Sequence, residues 1–154
     1  AERVRASGAE AVAVCLLHAY GAPEIEDEVA EALAPLGLPV TRSARLLPEH
    51  REVERATTAV VNAALRPLME RYLGGLGARL GGASLALLRS SGGSVPAARA
   101  AVEPVRVVLS GPAGGVVAAE RAARELGLAR VLTLDLGGTS TDVAFARAED
   151  RAED

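Results

Sequence analysis

Two carboxylates, two glycines and three hydroxyl residues stand together near the end of the chain, in Asp135-Leu-Gly-Gly-Thr-Ser-Thr-Asp142. Apolar runs on both sides, Val131-Leu-Thr-Leu134 and Val143 to Ala146, read as strands, so the segment is expected to be the tip of a hairpin. Adjacent glycines let backbone N–H groups approach a phosphate without a Cβ in the way. Hydroxyls donate further hydrogen bonds, and carboxylates hold hydrated Mg²⁺ or orient an attacking water. Taken by itself, the segment is equally an ordinary Asp/Gly/Thr hairpin turn. A second glycine-rich stretch, Ser110-Gly-Pro-Ala-Gly-Gly115, lies between an expected strand, Val105 to Leu109, and an Ala-rich helix, Val116 to Leu126. Orphan N–H groups at such a junction take anions; alone, it is better read as a tight strand-to-helix turn with Pro112 in the first helical turn.

Composition closes off other chemistries. The chain has 154 residues, and all 17 of its cationic side chains are arginine. With no lysine there is no Walker A loop and no Schiff base. One cysteine, Cys15, leaves no internal disulfide and no multi-cysteine metal site. The two histidines, His18 and His50, match no ligand spacing. A net charge of −3 without a basic run argues against nucleic acid or an anionic membrane as partner. The longest apolar run, Ala11 to Leu17, falls far short of the ~20 residues of a membrane span. A cytoplasmic protein is expected. An alanine at position 1 suits an excerpt of a longer chain.

The elements that position these residues are expected to alternate. Ala11 to Leu17 reads as a buried strand, and a helix follows with Ile25, Val29, Leu33 and Leu36 on its apolar stripe. Its acidic start opposes the helix dipole. Gly37 closes it, and Pro39 to Thr41 reads as a second strand, making a β-α-β unit. The longest helical pattern runs from Val53 to about Leu80 with a stripe of Val53, Thr57, Val60, Val61, Ala64, Leu65, Leu68, Tyr72, Leu76 and Leu80. Pro67 in its middle predicts a kink or two separate helices. A strand over Ala83 to Leu88, a loop at Ser90 to Ser94 and a short helix to Val102 follow. Arg55 and Asn62, two turns apart, are expected on one solvated or lobe-docking face, with an interface or cleft as the alternative. Cys15 is expected to be inert core, and His18 a satisfied structural residue.

The order of these parts resembles the second half-site of the actin, sugar-kinase and heat-shock ATPase superfamily: glycine turn, Ala-rich helix, apolar strand, then the hairpin. More closely, the chain is similar to the hydantoinase A and 5-oxoprolinase family. The likeness runs through Ala13 to Leu17 with Tyr20, Leu47-Pro-Glu-His-Arg-Glu52, Glu54-Arg-Ala-Thr-Thr58, Val61-Asn-Ala63, Leu65-Arg-Pro67 and Arg71-Tyr-Leu73. It continues through Ser91-Gly-Gly93, Pro104-Val-Arg106 and Leu109 to Gly115, covering about residues 8 to 147.

That resemblance implies an α/β fold, part of an actin-like (ribonuclease H-like) ATPase with a mixed sheet and covering helices. Residues 1–105 would end a first lobe, 106–147 would begin a second, and 148–154 would be a charged tail. It implies ATP-dependent opening of a small cyclic amide, with ATP and Mg²⁺ as cofactors and a second hydantoinase-type subunit or domain as partner. Gly137, Gly138, Thr139, Ser140 and Thr141 would cradle the β and γ phosphates. Asp135 would hold Mg²⁺ through water, and Asp142 is a second candidate for metal or water positioning; these two would be the catalytic residues. Ser91, Gly92, Gly93, Ser110 and Gly111 would line the cleft near substrate. Members carry another phosphate hairpin and an adenosine loop that are missing here, so negligible ATPase activity is expected of these residues alone. The rivals are the ATP-binding subunit of a ketone carboxylase and a non-catalytic nucleotide-binding or scaffold remnant.

Overall fold

A computed structural model describes residues 1–147; the expected charged tail, 148–154, lies outside them. In chain order the elements are α1 (Glu2–Ala6), β1 (Val12–Val14), α2 (Glu24–Leu33), β2 (Val40–Arg42), α3 (Ser43–Leu46), α4 (Glu52–Arg79), β3 (Ala86–Leu88), β4 (Ser94–Pro96), α5 (Ala97–Val102), α6 (Ser110–Glu125), β5 (Arg130–Leu136) and β6 (Thr141–Arg147). The architecture is mixed α/β with three two-stranded sheets among the described residues. The described residues divide into two compact units, 1–85 with 96–105, and 86–95 with 106–147.

The first unit is built on a β-α-β crossover, with β1 and β2 parallel and Val12, Ala13 and Val14 facing Val40, Thr41 and Arg42. β1 is shorter than its apolar run. The reason lies at Leu16, whose N–H donates to Glu26 Oε1 at 2.9 Å and whose carbonyl accepts from Arg55 Nη2 at 2.8 Å. Side chains take the backbone groups that a longer ladder would use, and Cys15 is only half-buried. α2 carries Glu24, Glu26 and Asp27 in its first turn. It passes into a 3₁₀ turn that Gly37 ends at φ +68°.

α4 runs unbroken for 28 residues with Pro67 inside it, so the two-helix alternative fails. Its buried positions are Arg55, Ala59, Asn62, Ala63 and Leu73. The first four lie at i, i+4, i+7 and i+8, one stripe of a helix. The expected stripe is therefore rotated: Val53 is 76 % and Tyr72 60 % exposed. Small Ala59 and Ala63 permit close packing on β1 and β2, and the polar residues between them find partners there. Asn62 Nδ2 donates to Thr41 Oγ1 and to the Val102 carbonyl, both at 3.1 Å, while its Oδ1 accepts from Val105 N–H at 3.3 Å.

In the second unit, α6 packs on one face of the antiparallel β5–β6 hairpin. α6 closes with Gly127 at φ +67°; Gly127 N–H donates to the Arg124 carbonyl at 3.1 Å and Leu128 N–H to that of Ala123 at 2.8 Å. This is the paired-bond cap in which glycine takes the left-handed position. Two expectations fail beside it. Val105 to Leu109 is no strand: a 3₁₀ turn occupies Pro104–Arg106. Ser90 N–H donates to the Arg106 carbonyl at 2.9 Å and the Ser90 hydroxyl donates to that of Val108, which serves that backbone without a ladder. Ser110 to Gly115 is no turn either, but the start of α6.

Candidate functional site

The hairpin tip gathers the residues singled out in sequence. β5 and β6 pair with Asp135 opposite Asp142 and Leu136 opposite Thr141. Gly137, Gly138, Thr139 and Ser140 make the connection, closed by Gly137 N–H donating to the Ser140 carbonyl at 2.9 Å. Directly opposed residues bring their Cβ atoms to about 4.5–5.5 Å, where like charges repel. Two exposed carboxylates placed so are unfavourable for the hairpin alone and favourable for a cation between them.

The glycines divide by cause. Neither Gly137 nor Gly138 takes the left-handed backbone region, so chain handedness requires neither. A Cβ on Gly137 would stand 3.2 Å from the Ser140 carbonyl oxygen, a local reason for glycine. One on Gly138 would meet nothing within 4 Å. The same holds at Gly111 and Gly115 of α6, whereas a Cβ on Gly114 would stand 2.6 Å from Leu88 Cδ1. Glycine weakens a helix interior, so glycines with empty surroundings are unexplained by the unit's own packing.

A cavity of about 410 Å³ lies between the first turns of α6 and the β5–β6 strands; Gly137, Gly138, Thr139, Ser140 and Thr141 do not line it. Pro112, Ala113, Gly115 and Val116 form its α6 wall, and Thr133, Asp135, Asp142 and Ala144 belong to the hairpin wall. Thr133 and Ala144 pair across the strands just as the two aspartates do, so all four share a sheet face. The start of α6 has no side-chain cap, and its N-cap residue, Leu109, adopts φ +59°. Ser110 N–H donates to the Val107 carbonyl at 3.2 Å and Pro112 carries no N–H, so the first turn of α6 offers few donors to an anion.

Among the described residues, no group of three or more His, Cys, Asp or Glu side chains is placed to hold a metal. Two carboxylates completed by phosphate oxygens and water form the donor set of Mg²⁺, which uses few protein ligands. The residues present fit that ion.

The remaining sequence candidates lie elsewhere in the second unit. Gly92 and Gly93, at φ +88° and +71°, border a smaller cavity of about 140 Å³. Ser91 Oγ accepts from Arg89 Nη2 at 2.9 Å. Ser110 and Gly111 occupy the first turn of α6 but do not line the larger cavity; Ala113 and Gly115 do. Arg89 went unmarked because a single arginine beside a serine-glycine loop carries no spacing signal.

Arg55 and Asn62 prove to be structural. Both are fully buried, in place of the solvated face expected, and Glu26 is buried with them. Besides Leu16 N–H, Glu26 accepts from Ser43 Oγ at 2.7 Å and Ala44 N–H at 2.9 Å, with Arg55 Nη1 at 4.0 Å. Elsewhere in this unit, Arg45 donates to Asp27 and, with Arg42 beside it, holds that carboxyl below its ordinary value. Glu52 is held low by its own amide N–H, then by the backbone N–H of His18, and less by the His18 imidazole, whose Nδ1 lies 3.8 Å away. His18 itself is largely exposed and left-handed, at φ +59°, rather than packed.

The second unit thus sets a glycine-containing hairpin with two opposed carboxylates against the glycine-rich first turns of α6, in an α/β setting. The chain belongs to the hydantoinase/oxoprolinase family, whose model matches residues 55–152. It is 37% identical over 143 residues to 5-oxoprolinase 1 of Arabidopsis thaliana, covering 89% of this chain and 11% of that protein. Two solved structures have similar folds. One is a nucleotide-free acetone carboxylase, an enzyme of ATP-dependent acetone carboxylation, with a TM-score of 0.75, 30% identity, and coverage of 96% of this chain and 22% of that one. The other is the ATP-dependent caprolactamase of Pseudomonas jessenii, with a TM-score of 0.74, 32% identity, and coverage of 94% and 22%. The chain thus spans about a tenth to a fifth of these relatives. Among the described residues no helix is long and apolar enough to cross a membrane.

Proposed function

We propose that the β5–β6 hairpin and the start of α6 form one wall of an ATP-phosphate site, in a protein that opens small cyclic amides at the expense of ATP. The observation that carries this is the cavity bordered by Asp135, Asp142 and Gly115, with glycines nearby that the fold does not require. Gly137, Gly138, Thr139, Ser140 and Thr141 cradle the β and γ phosphates through N–H and hydroxyl donors. Asp135 holds Mg²⁺ through water, and Asp142 holds the metal or positions water. The bound ion neutralises phosphate charge. In this reading the fold is part of an actin-like, ribonuclease H-like ATPase, with 1–105 ending one lobe and 106–147 beginning the next. A phosphate clamp works by positioning from both sides, so these residues alone bind Mg·ATP weakly and turn it over negligibly. Further parts, in the same chain or a second hydantoinase-type subunit, complete the site.

The likeness to acetone carboxylase supports a second reading, in which the same wall serves a ketone carboxylase. A third is a nucleotide-binding scaffold without catalysis. Titrating ¹⁵N-labelled protein with Mg·ATP tests the shared premise: amide shifts should concentrate at Gly137 to Thr141 and vanish in Asp135→Asn and Asp142→Asn. Equal shifts in the variants contradict it. A completed protein then separates the readings, since loss of turnover with retained partner binding marks an enzyme, and the accepted substrate marks its branch.

A further inference from the structure

The outer face of α4 is apolar where a solvated helix face would carry charge. From Thr57 to Leu68 its exposed residues are Thr57, Val60, Val61, Ala64 and Leu68, spaced as one stripe and none of them charged. Val60 is 58 % and Leu68 57 % exposed. The opposite face already packs on β1 and β2 through Ala59, Asn62 and Ala63. Beside the stripe runs a groove of about 610 Å³, with Val60, Ala64 and Pro67 on its α4 side and Ala11 and Ala13 on its β1 side. β1 pairs with β2 along one edge only. Val12 N–H donates to the Pro39 carbonyl at 2.9 Å, so the alternation of a strand turns the N–H and C=O of Ala13 to the free edge. From Ala11 to Leu17 the segment carries no proline and no charge, the usual devices that protect an edge from pairing. Glu10 on the rim of the groove faces Arg71 at 3.7 Å, which leaves the rim without net charge.

We propose that a second copy of this chain fills the groove, related by a twofold axis that stands perpendicular to the sheet and passes between the two β1 edges at Ala13. Both elements are self-complementary under that one axis. β1 pairs antiparallel with its copy, Ala13 opposite Ala13 and exchanging both backbone bonds, to give a four-stranded sheet with β2 at each outer edge. The two α4 stripes then lie on the same face of that sheet and run antiparallel, each closing the other's groove. Ala11, Ala13 and Ala64 hold no bulk that would keep the copies apart. The stretch from Val53 to Tyr72 is about 28 Å long and about 10 Å wide. Together with the β1 edges, the two copies bury on the order of 1,000 Å², the lower end of what a specific dimer needs. The inference is independent of the phosphate reading, which concerns the other unit.

Sedimentation equilibrium of the whole chain over a concentration series, with amide hydrogen exchange followed on the same ¹⁵N-labelled samples, tests this. A mass rising toward twice 15.7 kDa is expected, with exchange at the Ala13 amide slowed about 10-fold or more as the dimer fills. Val60→Glu and Leu68→Glu each place a charge in the stripe at an exposed position. Both should match the parent by circular dichroism, remain monomeric and restore fast Ala13 exchange. Leu132→Glu, the same kind of change on the exposed apolar face of the β5–β6 hairpin, should leave the dimer intact. Should the α4 variants misfold, the concentration dependence of Ala13 exchange in the parent still decides. A chain that stays monomeric up to about 0.1 mM overturns the proposal and leaves the groove to a different chain. A dimer with unchanged Ala13 exchange also overturns it. So does a dimer that Leu132→Glu dissolves and the α4 variants do not, which would assign self-association to the hairpin face.

Discussion

Replacing Gly115 with alanine should stabilise the protein and weaken nucleotide binding. Gly115 lies inside α6, where a Cβ meets no atom within 4 Å, and it lines the hairpin cavity. Glycine inside a helix costs about 0.5–1 kcal/mol relative to alanine. For a chain of this size, that gain raises the melting temperature by about 1–4 °C. Gly127 is the internal control. At φ +67° it caps the same helix, and alanine there incurs the left-handed penalty of about 1–2 kcal/mol, a fall of about 2–8 °C. A methyl on the cavity wall crowds a ligand as overpacking crowds a core, by about 1–3 kcal/mol, which is roughly 5- to 150-fold in affinity. Thermal unfolding by circular dichroism and Mg·ATP titration of the hairpin amides read the two effects. Gly115→Ala that melts lower than the parent refutes the account of α6 packing. A higher melting point with unchanged Mg·ATP affinity refutes the placement of the ligand against this wall.

Three further outcomes are expected. Asp135→Asn should leave the melting temperature unchanged or slightly higher at low salt, because it relieves a like-charge pair across the hairpin, while abolishing the Mg·ATP shifts; a clear loss of stability would mark Asp135 as structural. Glu26→Ala should cost about 3–5 kcal/mol in urea unfolding, since it leaves Arg55 buried without its partner; a cost below about 1 kcal/mol, the level of exposed pairs, contradicts the buried network. Asp27 supplies a pH dependence. Its folded carboxyl lies below the ordinary 3.8 chiefly because Arg45 donates to it, so its contribution is complete above pH 3.8 and is lost as pH falls through the lowered folded value. Asp27→Asn should flatten that acid limb of the urea midpoint, and an unaltered limb would show that the Arg45 contact is not held in solution.

The hairpin could be read in sequence because its signals are local. Alternating apolar residues fix two strands, and a glycine pair between two aspartates fixes the turn and hence which residues oppose. Fold class followed from the β-α-β alternation around α2 for the same reason. What failed depends on contacts distant in sequence. Val105 to Leu109 is apolar enough for a strand, but Ser90 supplies its backbone partners from another loop. Ser110 to Gly115 has the composition of a turn, yet packing against the hairpin and β3 holds it helical. The buried face of α4 was missed because Arg55 and Asn62 look solvated until Leu16, Thr41, Val102 and Val105 are seen to receive them.

The central claim is that the hairpin tip holds metal-bound phosphate. Mn²⁺ in place of Mg²⁺ makes it directly visible, because amides close to the ion broaden in proportion to their proximity. With Mn·ATP, the account predicts the strongest broadening at residues 135–142, lost in the Asp135→Asn, Asp142→Asn double variant. Broadening centred instead on the acidic start of α2, around Glu24 and Asp27, or broadening at the hairpin that persists in the double variant, would contradict it.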